Sequence, residues 1–579
     1  MNGNKTTATS SEERRMQRGI SVLAFFVPAF IMLVLFIIRG IYPFGDRSFL
    51  FSDMYHQYMP FLSEFVHKIK AGEGLFYSYN VGIGSNFLAL YVYYLASPFN
   101  WLVFLLPEGL IMEFMSYLVI LRIGLMGLTF SIYLRKVFGK EDPAALLFST
   151  AYALSGYLAA YNWNVMWLDC LILLPLILLG AERLVREGKW VMYTVTLGLC
   201  ILTNYYISIM ICIFLVLYFG MFLITEYYTM TEGQSRKARI VFGRIGRFAF
   251  ASLLAGGLAA VLLIPEVCAI LRTDFGNSDF PGTLESYFSV FDMLARHCLC
   301  VTTERGLEHW PNIYCGVAVF LLVPMYALNE KISVRKRFCN LALAGFLLLS
   351  FGTNVLDFLW HGLNYPDSLP ARQSFLYIFL ILVMCYDAFR NVEGTSPRQI
   401  IYGYLAAVIF LLACEKFVES EDFDTGIEVL TLVFVTIYGV LLYLYRTRKD
   451  ELTRQVLGIL VLACVVAELS INTFNTSLGT TGRSAYLGDQ EDYKALYALA
   501  QEQEGDDFFR IEKFTRKTKN DGTLTGYPTA SVFSSTMNSN VMDLYKMLGM
   551  RHSKVYYGFD GATAFVSALL NVDYMFGES

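Results

Sequence analysis

Charged side chains are scarce in this chain of 579 residues, of which only 16% are Asp, Glu, Lys or Arg. A soluble domain typically carries about 25% charged residues, so the composition excludes an ordinary soluble protein. The net charge of −4 is also small and argues against a nucleic-acid partner. Cysteine and histidine nowhere take the spacing of a structural zinc site, so the sequence predicts no metal site of that kind.

Three further signatures are missing from the sequence. Most of the 11 cysteines, such as Cys200 and Cys414, lie inside apolar runs and read as small core residues, so no disulfide framework is expected. The glycine-rich segment at residues 77–86 has neither the spacing nor the lysine of a phosphate-binding loop, and it predicts tight turns. No internal repeat is strong enough to indicate an inverted-repeat transporter.

Long apolar runs are what the sequence has instead. Hydrophobic residues make up 56% of the chain, and the mean hydropathy is +0.48. A membrane-spanning helix needs about 20 mostly apolar residues, and about thirteen segments reach or approach that length. The expected fold is therefore mainly α, a polytopic membrane protein. The predicted spans are residues 20–38, 112–134, 144–161, 165–184, 191–203, 206–225, 248–271, 313–326, 338–351, 374–389, 400–413, 430–445 and 456–471.

Basic residues set the predicted orientation. Arg14, Arg15 and Arg18 precede the first span, and alternate connections further along are rich in Lys and Arg, which marks the cytoplasmic side. Residues 1–19 are then a cytoplasmic tail and residues 20–471 a transmembrane domain. The alternation holds only if residues 87–106 do not cross the membrane. Because that segment contains Pro98 and Asn100, we interpret it as a re-entrant or interfacial helix.

The composition changes at residue 472, after which Gly, Ser, Thr and Asn are frequent. Residues 472–579 predict a small extracytoplasmic α+β domain. Its expected helices are residues 490–502 and 539–548, and its expected strands are residues 508–514 and 554–557. The final residues show little sign of a finished terminal element, so we expect this domain to be incomplete.

Polar residues near the outer side mark the expected location of an active site, because the inner loops carry mostly the Lys and Arg that topology explains. They are Asp53, Gln57, Asn80, Asn86, Asn162, Asn164, Asp169, Asn204, Arg272, Asp274, His297, His361, Asn364 and Arg372.

Asp53 follows the first span directly, with Gln57 one helical turn behind it. On the residues alone, capping of the next helix is the commoner role for such an Asp, with the carboxylate accepting from the N–H of Tyr55 or His56. The alternative is a general base that deprotonates an acceptor hydroxyl beside the membrane. Apolar positions 55, 58, 62, 65 and 69 are typical of a helix that lies in the headgroup plane.

Two charged residues fall inside predicted spans, Arg122 in the second and Asp169 in the fourth. Intramembrane charges are costly and often functional. The two side chains could form a structural ion pair with each other. The functional alternative has both at the substrate, with Arg122 meeting a lipid phosphate.

Two outer loops supply the remaining candidates. Arg372 ends a loop with two prolines that starts at Asn364, and its guanidinium suits a phosphate oxyanion, although a headgroup anchor is the commoner role. His361 could join this loop as a ligand, although a lone His more often serves as an ordinary hydrogen-bonding residue. Asn204 and Tyr205 could bind sugar hydroxyls, although a turn and an aromatic belt explain them as well.

Several segments in combination resemble the YfhO family of bacterial membrane proteins. The resemblance covers nearly the whole chain, although family members usually continue through a larger outer domain, so we expect a fragment or a shortened member. The matching segments are Asp53-Met-Tyr-His-Gln-Tyr58, Ser78-Tyr-Asn-Val-Gly-Ile-Gly-Ser-Asn-Phe87, Tyr93-Tyr-Leu-Ala-Ser-Pro98, Trp167-Leu-Asp-Cys-Leu-Ile-Leu-Leu-Pro175, Thr203-Asn-Tyr-Tyr-Ile207 and Asn364-Tyr-Pro-Asp-Ser-Leu-Pro-Ala-Arg372.

That family is similar to the GT-C glycosyltransferases, polytopic enzymes that use polyprenyl-phosphate sugars at the outer membrane face. The resemblance implies a GT-C-like helical bundle that transfers a sugar from an undecaprenyl-phosphate donor to a cell-surface polymer such as lipoteichoic acid. An acidic residue in the first outer loop is the hallmark of GT-C enzymes, so the resemblance favours Asp53 as general base. It also makes Arg372 the candidate for the lipid phosphate. Some GT-C enzymes use a divalent cation, and no ligand cluster in this sequence requires one.

Two other classes of function remain open from the sequence. A transporter or flippase of a lipid-linked sugar would keep its polar site near the midplane, and Arg122 is the residue that supports this alternative. A scaffold that binds wall polymer without chemistry would not need Asp53. Clustering of polar residues on the outer side argues against the transporter and leaves the scaffold open.

Overall fold

The computed structural model describes residues 3–139, 142–233, 235–274, 279–366 and 368–577, and it is mainly helical. Asp367, in the predicted substrate loop, lies outside the described residues. The α-helices are Gly3–Ile38, Met59–Lys70, Phe87–Leu90, Ile111–Phe138, Ala144–Ala153, Gly156–Tyr161, Leu168–Glu187, Val191–Thr203, Tyr205–Thr231, Lys237–Ile270, Val290–Ala295, Val319–Leu328, Val334–Phe351, Asn354–Trp360, Ser374–Arg390, Pro397–Phe417, Thr425–Thr447, Glu451–Thr476, Arg483–Leu487, Gln490–Glu504, Asp521–Thr525, Ser539–Met547 and Ala564–Leu570.

Every predicted span coincides with one of these helices or with a helix pair, but fewer of them are long enough to cross a membrane. Eight helices of the described chain pass a test of length and apolar composition, and a bent pair would make nine. Two more apolar helices, Val191–Thr203 and Val319–Leu328, are shorter than a bilayer requires. The expected count of about thirteen spans is therefore not confirmed. The helix Gly3–Ile38 also begins within the segment predicted as a tail.

The span predicted at residues 313–326 shows why some helices are short. Its helix starts only at Val319, because the backbone before that point has other partners. The Tyr314 carbonyl accepts from the Gly156 N–H at 2.7 Å. The Val317 N–H donates to the buried carboxylate of Glu468 at 2.6 Å. Tertiary hydrogen bonds thus replace the first turns of this predicted helix.

The segment at residues 87–106 is bent, as its composition predicts. A π-helical turn at Tyr91–Leu95 continues the short helix Phe87–Leu90, and a 3₁₀ helix follows at Pro98–Leu105. The two arms meet at an angle of 96°. The break occurs at Ser97, whose side chain accepts from the Phe99 N–H, and at Pro98, which has no N–H to continue the first arm.

Short strands join the C-terminal segment, defined here as residues 477–577, to the loop after the first helix. Arg47–Ser48 pairs antiparallel with Thr481–Gly482. Inside the C-terminal segment, Arg510–Lys513 pairs parallel with Val572–Phe576, and Val532–Phe533, Tyr556–Tyr557 and His552–Ser553 form an antiparallel sheet in that order. A hairpin links Tyr77–Ser78 to Ser85–Asn86. The predicted helices and strands after residue 472 are thus present with small shifts at their ends.

The C-terminal segment lies against residues 55–86. The Ser63 hydroxyl donates to the Leu524 carbonyl at 2.9 Å, and the Thr523 hydroxyl donates to the Asn80 carbonyl at 2.6 Å. Helix Met59–Lys70 is consequently buried on more than one face, including the charged residues Glu64 and Lys68. The C-terminal segment thus covers part of the helix that the apolar pattern placed in the headgroup plane, whereas His67 and Lys70 remain exposed.

Candidate functional site

Asp53 lies at a strained turn between the first helix and the second. The preceding residue, Ser52, has a φ of +50°, a conformation that side chains other than glycine rarely adopt. The turn continues as a π-helix at Met54–Tyr58, and none of its backbone N–H groups donates a capping hydrogen bond to the Asp53 side chain. Instead, the N–H groups of Tyr55 and His56 donate to the Ser52 carbonyl. Capping, the commoner role on the residues alone, was the wrong prediction for Asp53.

The Asp53 carboxylate is partly buried and lightly bonded. Gln57 Nε2 donates to its Oδ1 at 3.4 Å, which is a long hydrogen bond. Burial raises the pKa of the Asp53 carboxyl to about 6, and the positive charge of Arg372 opposes that rise. A carboxyl in this range can take a proton near neutral pH, which is what a general base must do.

Arg372 is held in place by its own loop and by one tyrosine. Its Nη1 donates to the Tyr206 hydroxyl at 2.7 Å, its Nε to the Leu369 carbonyl at 3.0 Å and its Nη2 to the Ser368 carbonyl at 2.9 Å. The guanidinium also lies 5.4 Å from the ring centroid of Trp167. Within the described residues these bonds use three of about five N–H donors of an arginine, so the fork keeps donors for an anion.

Tyrosines line the space around these two charges. The Tyr58 hydroxyl donates to Asn164 Oδ1, and its ring lies 5.7 Å from that of Tyr94. The centroids of the Tyr93 and Tyr205 rings lie 6.1 Å apart. The Tyr93 hydroxyl is close enough to Asp53 and Arg372 for both charges to act on it. The sequence analysis did not identify Tyr93 as a site residue, although the three tyrosines among residues 91–94 were a signal for it.

Arg122 and Asp169 form a buried ion pair. Arg122 Nε donates to Asp169 Oδ1 at 2.9 Å, and Nη2 donates to the Ser97 hydroxyl at 2.9 Å. Both side chains are almost completely removed from solvent. The structural alternative of the sequence prediction is thus present, and Ser97 joins the pair to the break in the bent segment.

We expect Arg122→Met to lower the free energy of unfolding by about 3–5 kcal/mol, because it leaves Asp169 as an unpaired buried charge. The double variant Arg122→Met/Asp169→Leu should recover most of that loss, because it removes both charges. Thermal unfolding in detergent measures both. Equal losses in the single and double variants would contradict a role of the pair in stability.

The remaining candidates are Asn204, His361 and Asn364. Asn204 caps helix Tyr205–Thr231, with its side-chain oxygen accepting from the Ile207 N–H at 2.8 Å, so this oxygen serves the fold. His361 Nδ1 lies 3.0 Å from a carboxylate oxygen of Asp357, and within the described chain its Nε2 has no hydrogen-bond partner. Asn364 is partly buried in the loop that leads to Arg372.

The described residues of this region do not form a group of ligands for a divalent cation. Across the described ranges, no group of three or more His, Cys, Asp or Glu side chains is arranged to hold a metal ion.

The C-terminal segment also holds the turn that carries Asp53. Asn520 Nδ2 donates to the His56 carbonyl at 2.7 Å and to the Phe533 carbonyl at 2.8 Å. The Tyr486 hydroxyl donates to the Tyr55 carbonyl at 3.0 Å, and the Ser535 N–H donates to the Tyr94 hydroxyl at 2.8 Å. Tyr486 and Asn520, which come late in the sequence, thus donate hydrogen bonds to backbone carbonyls of the turn that carries Asp53.

Asn520→Ala should lower the free energy of unfolding by about 1–3 kcal/mol, because it removes a buried donor from the His56 carbonyl. Faster amide exchange at residues 54–58 should accompany that loss. Asn540→Ala is the control, since this exposed side chain lies in the same segment. Unchanged exchange in the Asn520 variant would mean that the turn is stable without its cover.

Comparison with known proteins identifies the family. The family model described as "Bacterial membrane protein YfhO" matches residues 24–579. The chain belongs to the YfhO family. A relative in Bacillus subtilis (strain 168), "Uncharacterized protein YfhO", is 21% identical over 498 residues, which are 81% of this chain and 54% of the relative. This YfhO chain therefore spans about half the length of that relative, and the resemblance seen in its sequence is confirmed.

Several solved structures show a distant similarity to this chain. Arabinofuranosyltransferase AftD from mycobacteria is 14% identical with a TM-score of 0.48, covering 92% of this chain and 33% of AftD. ArnT from Cupriavidus metallidurans in the apo state is 14% identical with a TM-score of 0.39, covering 87% of this chain and 84% of ArnT. ArnT bound to undecaprenyl phosphate gives a TM-score of 0.35.

Proposed function

We propose that this YfhO protein is a membrane glycosyltransferase of the GT-C type. The observation that carries the proposal concerns two groups in one site surrounded by tyrosines. Asp53 is a lightly bonded carboxyl with a pKa of about 6, and Arg372 lies close enough for its positive charge to act on that carboxyl. The donor would be an undecaprenyl-phosphate sugar, and the acceptor a cell-surface polymer such as lipoteichoic acid. The site and the C-terminal segment would then face the outside of the cell.

The proposed reaction needs one base and one anion-binding group. An acceptor hydroxyl loses its proton to Asp53 while its oxygen attacks the anomeric carbon of the sugar. The bond from that carbon to the phosphate oxygen breaks, and its electron pair leaves with the lipid phosphate, so the configuration inverts. Negative charge grows on the leaving phosphate, and the remaining N–H donors of Arg372 stabilise it. Gln57 keeps the Asp53 carboxylate oriented toward the acceptor.

The transporter alternative loses its main support at Arg122. That guanidinium is bonded to Asp169 and to the Ser97 hydroxyl, so it serves the packing of three elements. A moving lipid-linked substrate would need polar groups near the midplane that exchange partners. We therefore propose chemistry at the outer end in preference to transport.

Turnover by the purified chain tests the proposal. The protein in detergent is given radiolabelled undecaprenyl-phosphate sugar and lipoteichoic acid, and the label is followed from lipid to polymer. Transfer of label supports a glycosyltransferase, because detergent abolishes the two sides that a flippase requires. Absence of transfer, together with transport of the same lipid in vesicles, would overturn the proposal. Polymer glycosylation in a deletion strain complemented with the gene provides the matching test in cells.

A further inference from the structure

A buried glutamate on a lipid-facing helix has no role in the proposed reaction. Helix Lys237–Ile270 is mostly exposed, and its buried residues are Ala251, Ala255, Ala259 and Glu266. Residues beside the glutamate, such as Ile264 at 62% exposure, face outward. Glu266 itself has no exposed surface, so the one acidic side chain of this inward stripe points into the protein.

Neither carboxylate oxygen of Glu266 makes a hydrogen bond of good geometry to any of the described residues. Glu468 shows the usual arrangement for a buried glutamate, because it accepts from the Tyr314 hydroxyl, the Tyr438 hydroxyl and the Val317 N–H. An unpaired polar group in an apolar setting is unfavourable, because it loses its hydrogen bonds to water and gains none in return. An ionisable residue in such a position in a membrane protein points to a functional site.

Glu266 lies beside one of the tyrosines near Asp53 and Arg372. Its carboxylate faces the hydroxyl of Tyr205. The Tyr205 ring packs near the Tyr93 ring, and the charges of Asp53 and Arg372 act on the Tyr93 hydroxyl. The residue after Tyr205 is Tyr206, whose hydroxyl accepts a hydrogen bond from Arg372. Glu266 is therefore connected through Tyr205 to the tyrosines of the proposed reaction centre.

We propose that Glu266 binds the sugar of the donor through two adjacent hydroxyl groups. Its two carboxylate oxygens have lone pairs that can accept two hydrogen bonds side by side, and neighbouring hydroxyl groups of a sugar ring can donate them. Tyr205 and Tyr93 add hydroxyls and ring faces, which suit the polar edges and apolar faces of a sugar. Arg372 would hold the phosphate at the other end. This inference rests on the proposed function and specifies which group recognises the donor.

A sugar fits Glu266 better than a metal ion does. Across the part of the chain that the structure describes, no further His, Cys, Asp or Glu side chains join Glu266 in a group that could hold a metal. A single carboxylate among tyrosines instead offers acceptors and ring faces, so a neutral ligand rich in hydroxyls satisfies the site without adding charge.

Binding of two lipids by the full chain in detergent tests the inference. The probes are undecaprenyl phosphate and undecaprenyl-phosphate glucose, with undecaprenyl-phosphate N-acetylglucosamine as a second sugar. Wild type should bind at least one sugar lipid tighter than the bare lipid phosphate, by about tenfold or more, which is about 1.4 kcal/mol. Glu266→Leu should remove that preference and leave binding of undecaprenyl phosphate unchanged. Glu266→Gln, which keeps one acceptor, should retain part of it.

Stability separates this role from a structural one. Glu266→Leu should raise the midpoint of thermal unfolding, because it removes an unsatisfied buried carboxyl, whereas Glu468→Gln should lower it by disturbing three hydrogen bonds. Equal loss of binding for both lipids, an unchanged preference, or a lowered midpoint for Glu266→Leu would overturn the inference. Wild type that transfers sugar without preferring either sugar lipid would overturn it and leave the transferase intact. Wild type that binds none of the three lipids would overturn the proposed function itself.

Discussion

Asp53→Asn is expected to lower the rate of glycosyl transfer by about 10²–10⁴-fold, the usual contribution of a general base, while expression stays unchanged. The amide cannot take the proton of the acceptor hydroxyl, although it keeps the shape and the bond to Gln57. Transfer of radiolabelled sugar by purified wild type and variant measures the effect. Donor binding should be retained, so the loss should appear in kcat.

The pKa of Asp53 adds a pH dependence to this prediction. Because burial raises the pKa to about 6, the wild-type rate should fall as the pH decreases through 6, where the carboxylate becomes protonated. The same shift means that ionisation of Asp53 destabilises the folded state, and this cost grows as the pH rises from the unfolded value of 3.8 to about 6. Above that pH, Asp53→Asn should therefore unfold at a higher temperature than wild type.

Asp46→Asn is the matched control for Asp53→Asn. Asp46 lies in the same loop, and its Oδ1 accepts from the Ser484 hydroxyl at 2.6 Å, a bond that an Asn oxygen can also accept. This variant should keep normal transfer. Normal transfer by Asp53→Asn would instead remove Asp53 from the mechanism and return the transporter or the scaffold to consideration.

Arg372→Lys is expected to lower kcat by about 10²–10³-fold, the loss seen when one preorganised donor to a developing negative charge is removed. A lysine keeps the charge but not the planar fork, so it cannot hold Tyr206 and the loop carbonyls and also face a phosphate. Affinity for undecaprenyl phosphate should fall as well. Transfer assays and lipid binding measure the two effects separately.

Arg390→Lys is the control for that substitution, because Arg390 ends the same helix, Ser374–Arg390, at its other end. Its guanidinium lies 5.2 Å from the Phe138 ring, far along the chain from the proposed site. This variant should bind the lipid normally. Unchanged lipid binding in Arg372→Lys would show that another group holds the phosphate.

Local sequence patterns predicted the helices well and the spans less well. Apolar runs locate every long helix, and Pro98 predicts the break in the bent segment, because each depends on neighbours in the sequence. The start of Val319–Leu328 could not be predicted, since it depends on Gly156 and Glu468, which come from distant parts of the chain. Helices such as Val191–Thr203 are apolar but short, so the apolar runs alone do not establish how many segments cross the membrane.

The site was predicted in part for the same reason. Asp53 and Arg372 stand out because an isolated charge beside an apolar run is visible in the sequence. Their proximity depends on packing among tyrosines that the sequence distributes over three segments. Glu266 was missed because its proposed role depends on the folded surroundings of its carboxylate, which makes no hydrogen bond of good geometry to the described residues. Family resemblance favoured catalysis at Asp53 where helix propensity favoured a cap.

The pairing of Arg47–Ser48 with Thr481–Gly482 has a consequence for the order of assembly. The backbone around Asp53 receives its hydrogen bonds from Tyr486 and Asn520, more than 400 residues later in the chain. Contacts of such high sequence separation form late, because the intervening chain must first be made and closed into a loop. The ribosome must therefore pass Asn520 before the turn can be locked, and until then a nascent chain in the membrane holds Asp53 on a turn that lacks these hydrogen bonds.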